Sequence, residues 1–347
     1  MRQHIPLVSV IISNYNYGDY LEQCLQSVVD QTYKNIEVLF SDNASNDNSW
    51  EIALSFCDRY PQIFSITRHR RNQGRCANFR HWHSQLTGDY HLGLSSDDVL
   101  QPRCIETSIN ALETHKDAAF AIFSRSILTE ETKEIEELPF LSTDCLMDPP
   151  GLALLYLMSS FNVTNSQVLY RTPKSPHNLI VPLDEEGQYR SFFRTRVQDF
   201  LIALESPVIF LREALVKHRV HSRNHARSAE LNMLDVLGQY SLNFEFLEHV
   251  ESKHPAWTTL FAEQLKKATL KHANTSLRYA ARFVLLENIE LATKYLHLAC
   301  ALDPDCGSSK HYNLVHDAVS SWGTSLFTDK CAYVKTEGNL TQRAQSY

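Results

Sequence analysis

No stretch of about 18 uncharged apolar residues occurs in the 347-residue chain, so the sequence encodes no membrane-spanning helix. The apolar run near the N-terminus, LVSVIIS, is short and lacks a small-residue cleavage site; it reads as a strand and not as a secretory leader. The eight cysteines include no CxxC pair and are scattered through apparent helices and strands. That spacing excludes a zinc ribbon and a disulfide framework and fits reduced, cytosolic usage. Positive charge is not in excess either: the net charge is -7, so nucleic acid is not expected as a partner and any phosphate-binding surface is local. The turn after the first strand, SNYNYGDY, matches neither GxGxxG nor GxxxxGK[ST]. Dehydrogenase, methyltransferase and P-loop readings lose their main support.

What the chain does carry is alternation. Its hydrophobic content of 43% is ample for a buried core. LVSVIIS (7–13) is a continuous β-branched run, as in a strand covered on both faces. YLEQCLQSVVDQ then sets Leu21, Leu25, Val28 and Val29 on one helical face. The pattern repeats: NIEVLFSD is a strand ending at Asp42, NSWEIALSFCDRY a helix, QIFSITRH a strand, residues 75–86 a helix and YHLGLS a strand. This predicts an α/β fold with a doubly wound sheet of parallel strands, whose ligands sit beyond the carboxyl ends of the strands. AAFAIFS (118–124), NSQVLYR (165–171) and PVIFLREALVKHRVH (207–221) continue the sheet, with an irregular stretch near 172–196. From about residue 228 helical periodicity takes over. AARFVLLENIELATKYLHLACALDP spaces its small residues as one tetratricopeptide-like hairpin does, and a single copy argues for a helical C-terminal subdomain and not for an array.

Three polar clusters fall just after predicted strands: residues 14–16, residues 42–47, and Asp97 with Asp98. They converge on one rim of the sheet. A diphosphate bound there without a glycine-rich loop needs positive charge from elsewhere, and a divalent cation held by Asp97 and Asp98 supplies it. The competing role for that pair is a helix cap before VLQPRCIETSINALE. Asp47 reads as a cap as well, whereas Asp42, at the strand end, reads as a ligand. Asp199 opens an apolar helix and is either a cap or a proton acceptor. VKHRVH delivers His218, Arg219 and His221 to a strand end, where they offset charge on a leaving group or form surface ion pairs. In the basic stretch RHRRNQGR, Arg75 follows Gly74 at a helix start and is the residue placed for phosphate contact.

Taken in order, LVSVIISNYN, LEQCLQSVVDQTYKNIEVLFSDNASND, NQGRCANFRHWHSQLTGDYHLGLSSDDVLQP, Asp199 and HRVH resemble family 2 glycosyltransferases of the GT-A fold. The resemblance implies a mixed GT-A-type sheet over residues 1–227, with a nucleotide-sugar half (about 1–115) and an acceptor half (about 116–227), followed by a helical region, 228–347. It implies inverting transfer of a sugar from a nucleotide diphosphate donor, a uridine or thymidine one, with magnesium or manganese. Tyr15 and Asp42 would hold the base or ribose with Ser13 and Asn14 nearby, Arg219 and His221 would face the diphosphate, Asp97, Asp98 and His221 would surround the metal, and Asp199 would be the base. A glycan or lipid-linked acceptor in surface polysaccharide assembly and peripheral association with the cytoplasmic membrane face are further implications. Ser95 stands where many members carry the first aspartate of DxD, which keeps a second reading in view: a degenerate transferase fold acting as a scaffold through its helical tail. A nucleotidyltransferase is disfavoured because its glycine-rich, Lys/Arg-bearing loop is absent.

Overall fold

Val8, Val10 and Ile12 point to one face of the first strand and Ile11 to the other, and all four are buried. A strand covered on both sides has to lie inside a sheet, which is why the segment reads as an unbroken apolar run. The computed structural model describes residues 4–74, 78, 81, 86–130, 133–157, 163–172, 194–221, 233–324 and 329. The chain divides into two compact units, Met1–Tyr156 with Ser160–Asn224, and Leu157–Ser159 with His225–Tyr347.

In the first unit, β1 (Val8–Asn14) is flanked by β2 (Ile36–Asp42) and β4 (Tyr90–Ser95), both parallel to it, and β3 (Phe64–Arg68) runs parallel to β2. Helices α1 (Gly18–Val29) and α2 (Ser49–Arg59) make the crossovers. Leu21, Cys24, Leu25 and Val28 of α1 recur at helical spacing and pack on the Val8, Val10 and Ile12 face. Fully burying each such aliphatic side chain contributes about 1.5–3 kcal/mol.

Beyond β4 the sheet departs from the all-parallel pattern. Strand β9 (Val168–Arg171) lies antiparallel between β4 and β6 (Phe120–Thr129), and β10 (Val208–Val220) runs parallel to β6. The short strands β5 (Val99–Leu100), β7 (Glu134–Glu136) and β8 (Cys145–Met147) add to β10, β6 and β10 in turn. Alternation of strands and helices predicts connectivity but not direction for a strand reached through a long connection, so β9 is not legible as antiparallel. Three more helices belong here: α3 (Cys104–Thr114), α4 (Gly151–Leu157) and α5 (Arg194–Glu205). Shifts in the pairing of β10 at Leu211 to Ala214 and Ala214 to Val216 bend that long strand. Its carboxyl end arrives beside the end of β4.

The second unit contains α6 (Met233–Lys253), α7 (Thr258–Leu285), α8 (Ile289–Leu302) and α9 (Lys310–Ser320). Ala280, Ala281, Ala292 and Ala299 are buried between α7 and α8, where their small side chains let the helices approach closely, and Tyr295 fills the space beside Phe283. The Asn288 side chain caps α8 by accepting from Leu291 N–H at 3.2 Å. Among the described residues no helix is long and apolar enough to cross a membrane.

Candidate active site

The turn that follows β4 is built from both sides. Asp98 N–H donates to the Ser95 carbonyl at 3.0 Å, closing the turn locally. Ser95 N–H donates to Ser166 Oγ at 3.0 Å, and that hydroxyl donates in turn to Asp98 Oδ2 at 2.6 Å. Asp98 Oδ1 accepts from Arg219 N–H at 3.0 Å and lies 3.1 Å from His218 Nδ1. Burial pushes the Asp98 carboxyl up, but His218, the Ser166 hydroxyl and Arg219 N–H outweigh it and hold it below the usual carboxylate range. Both oxygens of Asp98 are therefore committed to protein donors, and the residue is 0% exposed. Through these bonds Asp98 fixes the turn that carries Asp97.

Asp97 faces a different partner. Its Oδ2 lies 3.1 Å from His221 Nε2, and the two residues are 7% and 1% exposed. Tyr17 meets the His221 ring edge-on at 5.5 Å and Tyr20 lies 4.6 Å from it, so α1 fixes the imidazole orientation. Arg219 is also buried. Its Nε donates to the Asp97 carbonyl at 2.8 Å, its Nη2 donates to Gln23 Oε1, and the guanidinium sits 4.9 Å over the Tyr20 ring. Arg219 thus ties the β4 turn to α1.

The ends of β1 and β2 form the next part of the rim. Asp42 is wholly buried. Its Oδ1 accepts from Ser45 Oγ at 2.5 Å and Asn14 Nδ2 at 3.1 Å, and its Oδ2 accepts from Ser45 N–H at 3.0 Å and lies 3.4 Å from Arg68 Nε. Ser13 Oγ and Asn14 Oδ1 are buried polar atoms with no hydrogen-bond partner among the described residues. Tyr15, next along the chain, is 39% exposed. Arg75 and the segment 173–193 lie outside the described residues.

Asp199 on α5 is buried, with Tyr156 OH donating to Oδ2 at 2.7 Å and Tyr170 OH donating to Oδ1 at 2.5 Å. Desolvation pushes its pKa up to about 7, against the opposing pull of the two hydroxyls. A carboxyl poised there is a competent proton acceptor at neutral pH. Ser166, Tyr156 and Tyr170 carry no sequence signal of a site, because nothing in NSQ, LLYL or VLYR distinguishes them from core residues, and Gln23 reads as a solvent-facing residue of α1.

Asp97 Oδ2 and His221 Nε2 are in direct hydrogen-bonding contact at 3.1 Å, a carboxylate and an imidazole of the kinds that bind divalent cations. The pair therefore fits a divalent cation chemically, as one oxygen and one nitrogen ligand. Among the described residues no group of three or more His, Cys, Asp or Glu side chains is arranged to hold a metal.

Residues 9–163 match the family described as Glycosyl transferase family 2, a span that contains the β1, β2 and β4 ends and stops short of Asp199 and His221. An uncharacterised glycosyltransferase of Nostoc sp. is 30% identical over 229 residues, 64% of this chain and 67% of the relative. EpsE of Bacillus subtilis is 33% identical over 111 residues, which are 32% of this chain and only 40% of EpsE. The fold resembles that of a Pyrobaculum calidifontis mannosyltransferase solved with GDP-Man and Mn2+, with a TM-score of 0.52, 12% identity, and coverage of 98% of this chain and 86% of that one. With a family model over the strand ends that form the rim and the Nostoc relative matched across two thirds of its length, the chain belongs to glycosyl transferase family 2.

Proposed function

We propose that the protein transfers a sugar, with inversion, from a nucleotide diphosphate sugar to an acceptor hydroxyl, and that Asp97 and His221 hold a magnesium or manganese ion against the donor diphosphate. The observation that carries this reading is the 3.1 Å approach of Asp97 and His221. Asp98, Ser166, Arg219 and Tyr20 all serve to fix it.

The chemistry that magnesium or manganese supplies when bound is neutralisation of the charge gathering on the departing diphosphate. Everything else falls to the chain. Asp199 takes the proton of the acceptor hydroxyl as the acceptor oxygen bonds to the anomeric carbon. The bond from that carbon to the diphosphate oxygen breaks on the opposite side, the nucleoside diphosphate leaves, and the anomeric configuration inverts. Ser13, Asn14, Tyr15 and Asp42 flank the place for the nucleoside, a uridine or thymidine one. Two buried polar atoms without partners, Ser13 Oγ and Asn14 Oδ1, are available there to bond a ligand. The acceptor is a glycan or lipid-linked sugar, met on the cytoplasmic side at the membrane face.

A panel of nucleotide sugars incubated with the protein, with manganese, with magnesium and with EDTA, tests the reading. Nucleotide release from one donor, dependent on metal and abolished in Asp97→Ala, is expected. Release from none, with no nucleotide binding in calorimetry, would remove the assignment.

A further inference from the structure

The Asp199 carboxylate is enclosed by two phenols. Tyr156 reaches Oδ2 from α4 and Tyr170 reaches Oδ1 from β9, each hydroxyl taking a separate oxygen. The tyrosines are 1% and 6% exposed. Behind Tyr170 stands His91 of β4, stacked on the phenol ring at 5.0 Å and 15°, with its Nδ1 held 3.2 Å from Thr172 Oγ1. Phe120 of β6 leans on the same ring at 5.4 Å. These neighbours fix where the Tyr170 ring can lie and leave its hydroxyl aimed at Asp199.

Among the described residues the two phenols are the titratable groups that act on Asp199 directly, and no charged side chain pairs with it. His91 contacts Tyr170 and not the carboxylate. This is an unusual setting for a carboxylate, which when buried is ordinarily paired with a cation or protonated. A phenol donates more strongly to an ionised carboxylate than to a carboxylic acid, so each hydroxyl favours the ionised form.

We propose that Tyr156 and Tyr170 are positioning residues for Asp199: they fix both carboxylate oxygens and favour the ionised form over the protonated one. The inference rests on the reading of Asp199 as proton acceptor. Without the phenols the buried group stays protonated through neutral pH and accepts no proton from an acceptor hydroxyl.

The experiment uses the full chain with Tyr156→Phe and Tyr170→Phe, each compared with its double variant carrying Asp199→Asn, and wild type compared with Asp199→Asn. The difference in thermal midpoint within each pair, followed from pH 4 to 9.5, reports ionisation of Asp199 without any need for activity. Loss of one hydrogen bond to a carboxylate is expected to move that titration up by about one to two pH units. Nucleotide release from the donor found in the panel should fall about 5- to 50-fold at pH 7 and recover as pH rises past the displaced limb. If one Phe variant does not fold, the other carries the test. An unmoved titration with a rate loss equal at every pH overturns the inference and leaves the tyrosines as packing residues. An Asp199→Asn protein that transfers at the wild-type rate overturns the base reading itself, and is told apart because it needs no tyrosine variant.

Discussion

His221 Nε2 and Asp97 Oδ2 meet at 3.1 Å although 124 residues separate them in the chain. The histidine directly follows β10 and the aspartate sits in the turn after β4, and the bent β10 brings the two strand ends together. If the pair shares a cation, His221→Ala removes one ligand while leaving the Asp98 network intact. Manganese affinity in the presence of a nucleoside diphosphate should weaken about 10- to 100-fold or more, measured by calorimetry below the lowered thermal midpoint that the cavity beside Tyr17 and Tyr20 brings.

Asp98 predicts the opposite profile. Asp98→Ala strands the Ser166 hydroxyl, Arg219 N–H and His218 around an empty space, and the expected cost is about 3–5 kcal/mol of folding stability. Urea denaturation reads it. Because the folded pKa of Asp98 is depressed, its contribution is present at neutral pH and is lost as pH falls below the usual carboxylate range.

Transfer should lose activity in acid with a limb near pH 7, since Asp199 accepts a proton only when ionised and its pKa is pushed up to about 7. The stability term runs the other way. In the unfolded chain Asp199 ionises at about 4, whereas in the folded protein it stays protonated to about 7. Its contribution to stability is therefore greatest below pH 4, declines as pH climbs between those values, and is flat above. A thermal midpoint difference between wild type and Asp199→Asn that rises with pH over that window would contradict this.

Gly88 precedes β4, and a Cβ there would lie 2.5 Å from Ser9 Oγ, 2.7 Å from the Tyr90 carbonyl and 2.8 Å from Ser9 N. The last two are backbone atoms of paired strands, which cannot swing aside. Gly88→Ala should cost about 2–3 kcal/mol, seen as a lowered urea midpoint with an unchanged slope.

Much of the first unit was legible because its physics is local. LVSVIIS and YHLGLS are apolar throughout, as strands buried on both faces must be, and polar residues at the ends of β1, β2 and β4 mark one rim whatever the later chain does. The division of labour between Asp97 and Asp98 was not legible. Adjacent and chemically identical, they differ only because Ser166 and Arg219 approach one and His221 the other. Arg219 reads as a charge for a ligand, and nothing in HRVH signals that it also bonds the Asp97 carbonyl and Gln23. The enclosure of Asp199 depends on Tyr156 and Tyr170, residues whose composition signals only core.

The most direct test of the account is manganese binding, by calorimetry with saturating uridine diphosphate, to wild type, Asp97→Ala and His221→Ala. The account predicts one ion per chain in wild type and binding weakened about 10- to 100-fold or more in both variants, with folding preserved. Equal manganese affinity in all three would contradict it, and would reduce the Asp97–His221 approach to a structural contact.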